Sequence, residues 1–81
     1  MARYFFDLHN GSGLTRDEEG RELEDNDEAR REALVGIRSV LGAEVANGSI
    51  DLDGRMEVLN ENREILFTIP FSDAVAVNQP K

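Results

Sequence analysis

The sequence predicts an α+β fold: a four-stranded, largely antiparallel sheet with one helix packed on one face, in the order ββαββ. Two observations predict the layers. Apolar residues alternate through Arg3 to His9, Arg55 to Asn60 and Glu64 to Ile69, the period of two that lines one face of a strand. Between these segments, Ala29, Ala33, Ile37, Val40, Leu41 and Val45 recur at the spacing that lines one face of a helix. A third observation sets the connections. Glycine, asparagine and acidic residues cluster at residues 10–13, 18–20, 51–54 and 61–63, where their chemistry favours turns.

In the first strand, Tyr4, Phe6 and Leu8 point one way and Arg3, Phe5, Asp7 and His9 the other. Its aromatic content suits a strand. Asn10-Gly11-Ser12-Gly13 turns the chain, its glycines tolerating positive φ, and Leu14 to Asp17 pairs back as a short second strand. A second turn at Glu18-Glu19-Gly20 leads through a short extended piece, Glu22-Leu23, to the helix. Asp25 or Asn26 caps its first turn, where Asp27 and Glu28 complement the positive end of the macrodipole. Gly36 and Gly42 each weaken the helix interior by up to about 1 kcal/mol relative to alanine, while allowing close approach to the sheet. Asn47-Gly48 ends the helix.

Met56 and Val58 point inward from the third strand, and Ile65, Phe67 and Ile69 from the fourth. Pro70 cannot donate to a ladder, so pairing fades there or lies at an edge. The expected core is Tyr4, Phe6, Leu8, Ala33, Ile37, Leu41, Met56, Val58, Ile65, Phe67 and Ile69. The expected strand order is second, first, third, fourth, with the helix as the crossover. Residues 1–71 are read as one domain and residues 72–81 as a tail.

Eighty-one residues build one modest core, burying roughly 60–65% of the surface the unfolded chain exposes. Without cysteine there is no disulfide and no thiolate zinc site. The net charge of −8 opposes nucleic acid and anionic membranes. No apolar run is long enough for a signal peptide or a bilayer span, so the expected location is the cytoplasm. Asn47-Gly48-Ser49 matches a glycosylation sequon and is read as a turn.

The motifs that carry chemistry are thin. His9, the single histidine, shares a strand face with Asp7; the pair is half of a catalytic or metal site, and His9 reads first as a solvated or hydrogen-bonded strand-end histidine. Asp51-Leu52-Asp53-Gly54 has the heart of a calcium loop. With Gly54 in the sixth position, Ser49 falls in the first and Asn60 in the twelfth, where acids are required. Aligning Gly20 instead fails in the same way, with Thr15 and Asn26. No metal and no cofactor is expected. The acidic run from Asp17 to Glu28 reads as a solvated loop and helix start, or as a docking patch for a basic surface. Phe5, Leu59 and Leu66 fall on the face away from the helix. They are expected to meet Ala74 to Val77 folding back, a second copy, a ligand or water.

The run RYFFDLHNG, followed by DEEGRELED and ARREAL, resembles a family of small, chiefly alphaproteobacterial domains that open RYFFDLHDG. That resemblance covers the first half of the chain well and the second more weakly. Asn10 stands where the family often has aspartate. The family has no assigned function, so the resemblance implies the fold and no site. In topology, a hairpin leading through acidic residues into an alanine-bearing helix is similar to the HicB-type antitoxin domain. That likeness implies inhibitor-like binding of a small basic partner.

Together these features predict a non-enzymatic domain that acts through a protein partner or by weak homodimerisation, with Phe5, Leu59 and Leu66 at the interface. A small-molecule or enzymatic domain using His9 and Asp7 is the alternative.

Overall fold

The computed structural model describes residues 1–11 and 13–76. Strand β1 (Ala2–Asn10) is followed by β2 (Gly13–Thr15), β3 (Arg21–Leu23), helix α1 (Asn26–Ala46), β4 (Arg55–Leu59), β5 (Ile65–Pro70) and a 3₁₀ turn at Phe71–Asp73. The fold is α+β, one helix against an antiparallel sheet of order β2-β1-β4-β5. The short piece before the helix is itself a strand: β3 pairs with the first half of β1 while β2 pairs with its second half. Both β3 and β4 run antiparallel to β1, so they are parallel to each other and α1 crosses over β1 between them.

The helix starts where Asp25, in an extended conformation, accepts the Glu28 N–H at 2.9 Å. Asp27 and Glu28 occupy the first turn, where the dipole favours acids. At the other end, Ser49 N–H bonds Glu44 O, Gly48 N–H bonds Val45 O, and Gly48 has φ +89°. This is a Schellman motif, and only glycine enters that φ region without strain. Ala29, Ala33, Ile37 and Leu41 are buried against Tyr4, Met56, Val58 and Ile69. Alanine at the first two positions lets the helix start close to the sheet, and the bulkier Ile37 and Leu41 fill the space farther along.

Two of the residues expected to face inward, one in β5 and one in the helix stripe, are exposed instead. Ile65 is 55% exposed rather than buried. A register shift opposite Val58 and Leu59 pairs Leu59 with Ile65 but Val58 with Phe67. One extra residue in β5 therefore breaks the alternation that would have turned Ile65 inward. Val45 is 58% exposed; it lies in the last turn of α1, beyond Leu41, the last buried residue of the stripe. Leu23, Phe71 and Ala74 join the core, and Leu59 is buried outside that cluster. Phe71, wholly enclosed, packs so close to Gly54 that a Cβ there would lie 2.4 Å from its ring. Phe71 N–H extends the β4–β5 ladder past Pro70 by bonding Gly54 O at 2.9 Å.

Beyond β5, Ala74 and Val75 join the helix-side core, and Arg38 Nε donates to Ala74 O at 2.7 Å. They therefore do not cover the opposite sheet face. Val77, the end of the segment expected there, lies outside the described residues. No helix among the described residues is long and apolar enough to cross a membrane.

Ile37→Ala is expected to cost about 2–5 kcal/mol in chemical denaturation, because it empties a fully enclosed site. Val45→Ala, at an exposed position in the last turn, is expected to cost under about 0.5 kcal/mol. Equal losses would mean that the helix is phased differently on the sheet.

Candidate functional site

The sheet face away from the helix is organised by charge. Between the last β3 pair, Tyr4 with Arg21, and the first β2 pair, Leu8 with Thr15, the outer edge of β1 has no strand beside it. Asp17 fills the gap. Its Oδ2 accepts the Phe6 N–H at 3.0 Å, in place of a strand carbonyl. Its Oδ1 accepts the N–H groups of Gly20 at 3.1 Å and Glu19 at 3.3 Å, closing the loop on itself. Gly20 holds φ +71° with Phe5 and Tyr4 O so near that a Cβ would lie 2.9 Å from each. A side chain here would be both strained and blocked.

Asp7 continues this network. It is 4% exposed, its Oδ1 accepts the Asp17 N–H at 3.0 Å, and its Oδ2 pairs with Arg63. Arg63 closes the ring by donating Nη1–H to Asp17 O at 3.3 Å. Its φ of +64° is unusual for a side-chain-bearing residue. The β4–β5 turn that holds it is tied by Asn60, whose Oδ1 accepts the N–H groups of Asn62 and Glu64. The Arg63 guanidinium also lies 5.4 Å from the Phe5 ring centroid, within cation–π range.

The sequence-derived candidates divide accordingly. Phe5 is half-buried, between Arg63 and Gly20. Leu59 is buried within the chain, and Leu66 is 39% exposed on β5. Asp7 and His9 share a face but take different partners. His9 Nε2 lies 2.7 Å from Glu57 Oε1, and its Nδ1 lies 3.4 Å from an Arg55 nitrogen. An Nε2–H tautomer satisfies both contacts. The Asp51 carboxylate is likewise occupied by the chain itself, accepting Asp53 N–H at 2.9 Å and Gly11 N–H at 3.2 Å. Among the described residues, no group of three or more potential ligands is placed to hold a metal ion.

On the helix side lies a groove of about 490 Å³. The sheet contributes Phe6, Arg21 and Met56 to its lining, the loop before β3 contributes Asp17, Glu19 and Gly20, and the helix Glu32, Val35, Gly36 and Ser39. These helical positions follow the i, i+3, i+4, i+7 spacing of a single face, beside the core stripe. Val35 is 61% exposed. Gly36 opens the wall, since a Cβ there would only just touch the Met56 methyl at 3.5 Å. Arg21 forms an ion pair with Glu32 at the rim. Nothing in the sequence pattern marks this face, because its lining is drawn from the sheet, the loop and the helix, which are far apart along the chain.

The Asp7–Arg63 pair should behave as a coupled unit. Asp7→Ala is expected to cost about 3 kcal/mol, since it strands a guanidinium and an amide. Arg63→Gly removes roughly 1 kcal/mol of left-handed strain yet should still destabilise. A double-mutant cycle should give a coupling above about 1 kcal/mol. Additive losses would show that the pair is incidental.

No curated protein and no solved structure matches the chain. Residues 3–72 match the family described as a domain of unknown function, DUF6894. That span contains both sheet edges, the helix, the Asp7–Asp17–Arg63 ring and the whole groove lining, and the chain belongs to this family.

Proposed function

We propose that this domain is a non-enzymatic, cytoplasmic module that works by binding another protein. The observation that carries the reading is the groove between α1 and the loop preceding β3, where Phe6 and Met56 face an exposed Val35. Apolar surface beside a polar rim is what protein contacts use. The titratable groups of the opposite face argue in the same direction. Asp7 is occupied by Arg63 and Asp17, and His9 by Glu57 and Arg55. Acid–base chemistry needs a group free to reach a reacting atom. The cysteine-free composition suits a reducing compartment.

Self-association is a second reading, favoured by the exposed Ile65 and Leu66 on β5. The edge is poorly suited to strand addition, however. Its bulge disrupts the ladder, and Pro70 has no N–H to offer.

A photocrosslinking residue placed at Val35 in one variant and at Leu66 in another tests the reading in cells that make the protein. Discrete adducts with a different protein, formed from position 35 in excess over position 66, are expected. Adducts at twice the chain mass from position 66 would move the contact to β5 and to a second copy. Absence of discrete adducts from both positions would overturn the interaction reading.

A further inference from the structure

We infer that the groove receives a basic segment of a protein partner: an apolar side chain seats against Phe6 and Met56, and a neighbouring cation is taken up by Glu32. This deepens the interaction reading above and rests on it.

The chain already contains an imitation of the bound cation. Arg21, from β3, sets its guanidinium on Glu32 across the groove rim. The geometry of the rim therefore accepts a guanidinium approaching from the sheet side. Arg21 is mostly exposed and Glu32 about one-third exposed, so exchanging this cation for a partner's costs little. A buried pair would resist such exchange.

Charge complementarity identifies the class of occupant. Glu19 and Asp17 lie on the loop wall and Glu32 on the helix wall, and the whole chain carries −8. A field of that sign speeds the approach of a basic partner and opposes an acidic one. Asp17 is engaged by backbone N–H groups, which leaves Glu19 and Glu32 as the carboxylates able to meet a cation. The size of the groove sets the scale. A volume of about 490 Å³ holds a side chain or two, so it recognises an anchor residue and its neighbour. The gap above Gly36 is where the anchor enters, and a longer side chain at that position would occupy the same space.

The test uses two short synthetic peptides in a glycine–serine frame, titrated into the full-length ¹⁵N-labelled protein. One carries a leucine between two arginines, and the other replaces that leucine with serine. The leucine peptide should produce saturable amide shifts centred on Glu32, Val35, Gly36 and Gly20, with the serine peptide weaker by about tenfold, as loss of one buried aliphatic side chain implies. Gly36→Leu should abolish the saturable shifts. Val35→Lys, at an exposed position where folding is not at stake, should weaken them by a similar factor. Arg21→Ala should tighten binding severalfold by freeing Glu32, and Arg31→Ala, the same change of charge away from the groove lining, should not.

Equal tightening by Arg21→Ala and Arg31→Ala would reduce the effect to general electrostatics and overturn the inference. So would shifts centred on another surface, or no saturable shift with the leucine peptide. The crosslinking experiment needs no peptide and decides the wider interaction reading separately.

Discussion

The Asp17 carboxylate is the constraint on which the shape of this domain depends. An unbroken strand along the outer edge of β1 would satisfy the Phe6 N–H with a carbonyl. Here that edge is split into β2 and β3, and residues 16–20 leave the sheet. A β1 amide without a partner would cost roughly 1–3 kcal/mol. Asp17 supplies the acceptor and gathers two more N–H groups from its own loop. The loop is therefore held against the sheet rather than free in solvent. Asp7 and Arg63 lock it from the opposite face, and the same guanidinium covers Phe5.

Both surfaces follow from that arrangement. On the face away from the helix, the Phe5 ring is capped by Arg63, part of a charged ring built from the chain itself. On the helix side, the fixed loop becomes one wall of a groove whose other wall is α1. Gly20 links the two surfaces. It packs against the Phe5 ring and contributes to the groove lining. A domain of 81 residues has little core to spare, and leaving a groove open beside Met56 gives up some of its packing density.

What the sequence made legible was the part governed by local periodicity. The alternation of β1 and the four-residue spacing of Ala29, Ala33, Ile37 and Leu41 marked the sheet and the helix, and the crossover rule then ordered the strands. Features that depend on a second segment were not legible. Leu23 sits in a three-residue strand too short to display a period. Phe71 follows a proline, where strand pairing was expected to fade, yet it fills the centre of the core. Ile65 has the right spacing for burial and is turned out by a bulge that only the β4 register reveals. Asp17 looked like one acid among many, because its role arises from a gap between two strands. The candidate site was legible in its parts, with Phe6 and Met56 recognised as inward-facing. The assembly was not legible, since nothing in one segment tells that Gly36 will stand opposite Gly20.

Native-state hydrogen exchange resolved at single amides tests the central claim most directly. If the Asp17 carboxylate replaces a strand, the amides of Phe6, Asp17 and Gly20 should be protected together, with opening free energies close to those of the paired residues of β1. Asp17→Ala should release all three while leaving the β1–β4 ladder protected. Asp17 and Gly20 amides that exchange at free-loop rates in the intact chain, while Phe6 remains protected, would contradict the account.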